Sequence, residues 1–195
     1  MGERESLYQA IVEAPDDDAP RLVYADWLDE QGDSDRAEFI RLQCEQSNLI
    51  LGTPEVDDRH TDIDVRSREL VKAHHKRWVK ELGPLPSNRH LHLWFRRGMV
   101  AEATCRVKYF LLHGDRLFDA APLEEVEFPQ MTAGHVRLLA VFSCAGRVRR
   151  FCFCCRDGVE DMVLALLAGW PFPRLEILDL GSGGVDRTTT VWHNR

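Results

Sequence analysis

The chain has 195 residues, of which 44% are hydrophobic and 29% charged, and its formal net charge is −7. This composition suffices for a continuous hydrophobic core, in one elongated domain or two small ones, and excludes a mainly disordered chain. The sequence lacks a run of 18 apolar residues that would predict a transmembrane helix, and Met1–Ser6 lacks the apolar stretch of a secretory signal. These observations predict a cytoplasmic protein that has no membrane partner.

The first helix signal lies close to the N-terminus. Leu7 and Ile11 share one helical face, with Tyr8 as a further candidate, and Pro15 ends the helix because proline cannot continue it. The three aspartates of Asp16–Asp18 then supply a capping carboxylate for the next helix, whose N-terminal dipole favours negative charge.

A second helix is predicted from about Pro20 to Gln31, with Gly32 as its C-terminal cap. Its apolar stripe is expected to comprise Leu22, Val23, Ala25, Trp27 and Leu28. A third helix is expected to pack against this stripe through Phe39, Ile40 and Leu42.

The polar side of the second helix is acidic and includes Asp26 and Asp29. The run lacks the ligand spacing and central glycine of a calcium loop, so it is interpreted as a solvated face and not as a metal site. Arg21 and Arg36 are expected to form exposed ion pairs with Asp26, Asp29 or Asp33, each worth about 0.2–1 kcal/mol.

The run Asp16–Asp33, followed by Arg36–Gln43, resembles the small repeat-companion domain of bacterial proteins that also carry leucine-rich repeats. The resemblance extends over Leu7–Gln43. No activity is assigned to that domain. The resemblance therefore implies an architecture, a helical unit followed by short leucine-rich-repeat units, and says nothing of a ligand.

Charge is unevenly distributed along the next part of the chain. Residues 1–64 hold 5 Lys/Arg against 18 Asp/Glu, whereas residues 65–97 hold 9 against 2. After a predicted loop over Gly52–Asp62, a basic helix is predicted from Val65 to about Leu82. An internal contact with the acidic N-terminal unit is the favoured interpretation, and nucleic-acid association through residues 65–97 is the alternative.

The segment Gly83–Asn88 is rich in the helix-breaking residues glycine and proline. It ends the helical region and sets the predicted domain boundary. Residues 1–88 are expected to form the helical repeat-companion domain with the basic helix, and residues 89–195 a degenerate leucine-rich-repeat-like region. The residues predicted to be buried in the helical unit are Trp27, Leu28, Phe39 and Trp78.

The second half of the chain repeats the pattern apolar-x-x-apolar-x-apolar. The copies are Val100–Cys105, Leu123–Phe128, Val148–Phe153 and Leu175–Leu180, and their starts are 23, 25 and 27 residues apart. This period lies within the 20–29 residues of leucine-rich repeats, in which each unit adds one strand and a helical return. The predicted fold class is therefore α/β, a helical unit followed by a short leucine-rich-repeat-like solenoid with parallel strands.

Helical returns are predicted over 109–121, 133–142 and 159–168. After the last copy the pattern stops, so the chain is expected to be a shortened repeat array whose end strand needs a cap. Two alternatives stay open. Val191 and Trp192 fold back as an improvised cap, or the end frays or self-associates.

The six cysteines are expected to be reduced and to act as small apolar residues. Cys152–Cys155 is the one cluster that merits consideration as a zinc site, but the second pair that structural zinc requires is missing from the sequence. No metal or other cofactor is predicted.

Two functional classes follow from the predicted strands. The favoured one is a non-catalytic protein-interaction module, because the sequence contains no nucleophile elbow, phosphate loop, dinucleotide fingerprint or zinc-hydrolase motif. The other is an enzyme with an unrecognised site, and no catalytic residue is predicted. Side chains that point outward from the strands are the candidate binding residues: Glu124, Glu125, Glu127, Arg149, Arg150, Glu176 and Asp179.

Overall fold

The structure is a computed structural model that describes residues 2–83, 91–139, 146–155, 174–182 and 190–193. It is a mixed α/β fold with N-terminal helices and a sheet of mostly parallel strands. The chain forms two compact units. Unit 1 comprises Met1–Gly83 with Phe95–Val100, and unit 2 comprises Pro84–Trp94 with Ala101–Arg195.

Unit 1 contains the helices α1 (Glu3–Glu13), α2 (Ala19–Glu30), α3 (Ser34–Asn48) and α4 (Pro54–Lys80). Ile11 of α1 is buried, as predicted, and Leu7 and Tyr8 pack partly buried beside it. The predicted stripe of α2 is wrong in part, because Leu22 and Val23 are 40% and 53% exposed. Its buried residues recur instead at helical spacing: Arg21, Tyr24, Ala25 and Leu28.

The start and end of α2 follow the sequence signals. The Ala19 amide donates to Asp17 Oδ1 at 2.9 Å, so the second aspartate of the run satisfies this amide. At the other end Gly32 has a φ of +84° and its amide donates to the Asp29 carbonyl. A left-handed residue at this position is the usual helix terminator.

The loop predicted over Gly52–Asp62 is wrong, because α4 begins at Pro54 and is 27 residues long. Thr53 is its N-cap and accepts a hydrogen bond from the Val56 amide at 3.4 Å. A proline in the first turn costs no hydrogen bond, and the acidic residues that follow suit the helix dipole. These residues therefore start a helix where their composition suggested a loop.

The core of unit 1 has two clusters. One is built from α1, α2 and α3, and the other brings Phe39, Leu70 and Trp78 together with the partly buried Phe95. Leu28, Phe39 and Trp78 are buried as predicted. The prediction for Trp27 is wrong: it is half-buried, and its Nε1 donates to Glu3 Oε2 at 3.2 Å. An indole at the edge of a core keeps its N–H near solvent and polar partners.

Arg21 and Arg36 are also placed differently from the prediction, since both are buried. Arg21 donates through Nη1 to the Asp17 carbonyl at 2.8 Å. The exposed acids of α2 pair with Arg41 instead, which lies 2.7 Å from Asp26 and 2.6 Å from Asp29.

The predicted contact between the basic helix and the acidic N-terminal unit is confirmed. Basic side chains of α4 contact acids of α3 and of the turn before it. The pairs are Arg59–Glu45, Arg66–Glu38, His74–Asp35 and Arg77–Asp33, at 2.6, 2.8, 2.8 and 2.6 Å.

A hairpin of β1 (His92–Arg96) and β2 (Met99–Thr104) follows, with Arg97 and Gly98 as its turn. Both turn residues have positive φ, +50° and +79°, as in a type I′ turn. The tip of this hairpin, residues 95–100, belongs to unit 1. The Gly98 amide donates to Gln43 Oε1 at 2.8 Å.

The Arg97 side chain at this tip holds the segment between α1 and α2. Its Nη1 donates to the Asp16 carbonyl at 2.9 Å. Its Nε lies 2.9 Å from Asp18 Oδ1 in an ion pair that lacks the alignment of a hydrogen bond.

Within the described residues the sheet has the order β1–β2–β3–β4–β5–β6. Its remaining strands are β3 (Glu125–Met131), β4 (Arg150–Cys155), β5 (Ile177–Ser182) and β6 (Thr190–His193). Strands β2 to β5 pair in parallel, and β6 pairs antiparallel with β5. The predicted parallel strands are therefore confirmed. The backbone of β6 folds back on β5, which agrees with the fold-back alternative for Val191 and Trp192.

The register between the parallel strands is the one that the repeat alignment predicts. Ala103 pairs with Val126, Val126 with Phe151, and Phe151 with Leu178. Since apolar positions of successive copies lie side by side, their side chains form continuous rows on one face of the sheet.

Helices α5 (Val107–Ala120) and α6 (Ala133–Leu139) lie between successive strands, close to the predicted returns. Phe110 of α5 contacts Phe128, with the ring centroids 5.3 Å apart, so α5 covers the apolar face. The return predicted over 159–168 and most of the break at 83–88 lie outside the described residues. In the described part of the chain, no helix combines the length and apolarity that crossing a membrane requires.

Candidate interaction surface

The parallel strands present a polar face opposite the apolar rows. Side chains alternate along a strand, so residues next to Ala103, Val126, Phe151 and Leu178 point away from α5. The polar face is defined by Glu102, Thr104, Glu125, Glu127, Arg150, Cys152, Ile177 and Asp179.

The strand register divides this face into two rows. The first row is Glu102–Glu125–Arg150–Ile177. Arg150 Nη1 and Glu125 Oε2 lie 3.1 Å apart, an ion pair between neighbouring strands. The Glu125 side chain is 15% exposed, so water screens this pair less than it would a fully exposed one.

The second row is Thr104–Glu127–Cys152–Asp179. The Thr104 hydroxyl donates to Glu127 Oε2 at 2.8 Å. Cys152 Sγ donates to Glu125 Oε1, in the first row, at 3.2 Å. Asp179 Oδ1 is buried and has no hydrogen-bond donor among the described residues.

The remaining candidate residues precede the strands and flank the polar face. Arg149 and Glu176 form an ion pair at 2.6 Å. The backbone carbonyl of Glu124 accepts from the amides of Arg149 and Arg150, at 2.9 and 3.0 Å. The structure therefore brings all seven predicted binding residues to one side of the sheet's parallel strands or their starts, four on the polar face and three directly before the strands.

The thiols of Cys105 and Cys152 are poor nucleophiles. Burial, followed by the charge and hydrogen bonding of Glu125, raises the pKa of Cys152, and burial raises the pKa of Cys105 to about 12. Both thiols therefore stay protonated at neutral pH, whereas a thiolate is the reactive and metal-binding form. Among the described residues no group of three metal-ligating side chains is placed to hold an ion.

The list of predicted binding residues omitted Glu102 and Thr104. The weak repeat copy Val100–Cys105 contains the signal that would have found them, because it aligns Glu102 with Glu125 and Thr104 with Glu127. The polar face thus extends over β2 to β5. Its carboxylates and its guanidinium are groups that can bind polar parts of a partner.

No family model, curated protein or solved structure matches this chain.

Proposed function

We propose that this protein is a non-catalytic protein-interaction module whose binding surface is the polar face together with the Arg149–Glu176 margin. The observation that carries the proposal is the register of β2 to β5, which aligns charged side chains across four neighbouring strands while aromatic residues fill the opposite face. A rigid sheet that displays fixed polar side chains suits recognition of a protein surface.

The proposal includes the architecture that the family resemblance implies. Residues 1–88 form a repeat-companion domain, and a degenerate leucine-rich-repeat-like region follows it. The strand-to-strand spacing and the helices α5 and α6 between strands support it. Repeat surfaces of this kind are generic binding platforms, so the proposal names a class of function and not a partner.

The test is partner capture with and without the two arginines. The full chain and the variant Arg149→Glu/Arg150→Glu are expressed in the native host, cross-linked in the cell and purified, and the attached proteins are identified by mass spectrometry. We expect a defined set of proteins on the wild type that the variant loses. The same set on both chains would overturn the proposal.

The matched control is Lys108→Glu/Arg116→Glu, which makes the same charge change at exposed positions of α5 in the same unit. It should keep the captured proteins. Charge reversal also places like charges beside Glu125 and Glu176, so Arg149→Gln/Arg150→Gln serves as a milder variant. Thermal unfolding of each variant separates loss of binding from loss of folding.

Nucleic-acid association is the second candidate, and it rests on Lys72, Lys76 and Lys80. These exposed lysines recur every four residues along α4. It has less support, because Arg59, Arg66 and Arg77 of the same helix pair with acids of the unit. Fluorescence anisotropy with a labelled duplex at low salt tests it: binding that Lys72→Glu/Lys76→Glu removes would favour this candidate.

A further inference from the structure

We propose that two copies of this protein associate through the outer face of α4, with the two helices antiparallel and a two-fold axis at Glu69. This face belongs to unit 1, whereas the polar face belongs to unit 2, so the inference does not rest on the proposed function. It follows from the order of the charges along α4 and from the contacts that those charges make within the chain.

The outer face of α4 is a continuous stripe of exposed residues. The buried residues of the helix mark the side that faces the core: Ile63, Ser67, Leu70 and Trp78. Steps of three or four residues, about one helical turn each, follow the opposite side of the helix. The residues of this outer stripe are all exposed: Asp58, Asp62, Val65, Glu69, Lys72, Lys76 and Lys80.

The charge of the outer stripe changes sign along the helix. Asp58 and Asp62 are negative in its N-terminal half, and Lys72, Lys76 and Lys80 are positive in its C-terminal half. The helix dipole favours this order only within the first and last turns. Since Asp62 and Lys72 lie about two turns from the ends of α4, the dipole does not account for their charges.

Within a single chain these charges repel one another. The two aspartates are four residues apart, and so are successive lysines, a spacing at which like charges destabilise a helix. None of these five side chains forms an ion pair within the described part of the chain. On the side that faces α3, by contrast, basic side chains of α4 do contact acids. The outer stripe therefore has charges available to a partner.

Two residues of the outer stripe have charged neighbours in their own chain. Arg59 acts on Asp62 through its charge, but its Nε and Nη2 donate to Glu45 at 2.6 and 2.7 Å. Glu69 Oε2 lies 3.2 Å from Arg66 Nη1. Asp62 therefore remains open to a stronger ion pair, and the charge of Glu69 is compensated in part.

A second copy that lies antiparallel pairs each of these acids with a lysine. With the axis at Glu69, residues equally far from it in the sequence lie opposite each other, so Asp58 faces Lys80 and Asp62 faces Lys76. A two-fold axis repeats every contact, which gives four ion pairs between the copies. A parallel copy brings like charges together instead, so the charge order also selects the orientation.

The centre of the outer stripe suits a close approach of two helices. Val65 is 50% exposed, and the exposed Ala73 lies opposite it across the axis. Both side chains are apolar, and alanine is small. A nucleic acid, in comparison, is attracted to the lysines and repelled by the aspartates of the same stripe, whereas a second copy uses both.

The first experiment measures the dimer dissociation constant of the full chain by sedimentation equilibrium at low salt, where exposed charges are least screened. Lys76→Glu/Lys80→Glu and Asp58→Lys/Asp62→Lys each place like charges at all four pairs, so each variant alone should associate at least tenfold more weakly. An equimolar mixture of the two variants has opposite charges at every pair. It should dimerise with an affinity within threefold of the wild type.

The control variant is Lys108→Glu/Arg116→Glu, which makes the same charge change on α5 and should keep the affinity within twofold. Recovery of association in the mixture also shows that both variants are folded. A wild type that stays monomeric at millimolar concentration overturns the inference, and so does an equal loss of association in the control. Lysine variants that lose duplex binding while the wild type is monomeric favour the nucleic-acid candidate instead.

The second experiment tests the register with the wild-type lysines in place. Glu69→Cys puts a thiol on the two-fold axis, opposite its own copy, so mild oxidation should produce a covalent dimer. Asp58→Cys lies on the same stripe but about 33 Å along the helix from its copy, and should cross-link no more than the native cysteines do. Equal cross-linking from both positions, or none from Glu69→Cys, overturns the inference and leaves the proposed function of the polar face untouched.

Discussion

Arg36 places a guanidinium inside an aromatic shell in unit 1. Its Cζ lies 4.6 Å from the ring centroid of Trp78, 5.3 Å from that of Phe95 and 5.6 Å from that of Phe39. Its Nε and Nη1 have no acceptor among the described residues, and burial lowers the pKa of the group. Cation–π contacts offset part of the desolvation cost, each by about 0.5–2 kcal/mol.

Two replacements of Arg36 distinguish the contribution of its charge to stability from the contribution of its packing. We expect Arg36→Met to leave stability unchanged or raise it by about 1–4 kcal/mol, because methionine keeps the apolar contacts and removes a buried charge. Arg36→Ala should cost about 2–5 kcal/mol through the cavity it leaves. Urea unfolding of the two variants measures both effects, and equal losses would show that the charge itself stabilises the core.

Gly98 has a close backbone neighbour as well as a positive φ. A Cβ at this position would lie 2.6 Å from Ile40 Cα, which cannot move away as a side-chain end can. Gly98→Ala should therefore cost about 2–4 kcal/mol, the sum of left-handed strain and overpacking.

Gly32 is the control for this prediction, since it has a φ of +84° and a Cβ added there would have no neighbouring atom within 4 Å. Gly32→Ala should cost only the strain, about 1–2 kcal/mol. Denaturation midpoints of the two variants make the comparison. If both lose the same amount, the approach to Ile40 is not what requires glycine at position 98.

Among the elements, α3 and α4 pack through an aromatic core and carry ion pairs at its rim. Phe39 and Trp78 stack with centroids 4.8 Å apart, and Arg66 donates twice to Glu38 at 2.8 Å. The charge pattern of the sequence predicted this contact because opposite charges lay in neighbouring helices. The sequence did not predict the start of α4, because proline and acidic residues are typical both of loops and of the first turn of a helix.

The stability of this helix pair should depend on pH. Hydrogen bonds from Arg66 lower the pKa of Glu38, and those from Arg59 lower that of Glu45. A depressed folded-state pKa stabilises the fold above the unfolded value, about 4.3 for glutamate, and that stabilisation is lost as the pH falls through the folded value. The urea midpoint should therefore fall on acidification below about pH 4.3.

Arg59→Gln/Arg66→Gln is the variant that tests the cause. It removes both partners, so its urea midpoint should fall less steeply over the same pH range than that of the wild type. A parallel fall in the two chains would assign the acid sensitivity to other carboxylates.

The hairpin tip completes the helical unit, which a boundary at residue 88 would exclude. Phe95 packs on the Phe39–Trp78 cluster, and Met99 is buried in the other core cluster. We expect fragment 1–104 to unfold cooperatively by circular dichroism and fragment 1–88 to lack a cooperative transition. Matching transitions would show that the helices fold without the tip.

On the scale of the whole molecule, the repeat pattern predicted the parallel strands β2 to β5 but not the edge strands β1 and β6. The apolar positions of each copy specify which strand neighbours pair, because only one register keeps Val126, Phe151 and Leu178 in one row. Strands β1 and β6 carry no copy of the pattern, so the repeat alignment did not predict them, although a fold-back of Val191 and Trp192 was one of the two alternatives for the chain end. The repeat pattern also identified the four candidates on the polar face, since they alternate with the apolar residues of the strands.

Strand β6 should protect β5 from solvent. It pairs with β5 from Ile177–His193 to Leu180–Thr190, so a free strand edge is covered. Hydrogen exchange should be faster in Thr190–His193 than in Ile177–Ser182, and removal of residues 186–195 should accelerate exchange in β5 at least tenfold. Unchanged protection of β5 in the shortened chain would mean that β6 contributes no cap.

The hairpin tip also determines when the helical unit can fold during its synthesis on the ribosome. Helices α1 to α4 leave the exit tunnel first, yet Phe95 and Met99 belong to the clusters at their centre. The nascent helical unit must therefore wait, with part of its apolar surface uncovered, until residues 95–100 have also left the tunnel. A pause in translation just before codon 95 would prolong that exposure and favour chaperone binding, whereas a pause after the tip has emerged would give the unit time to close.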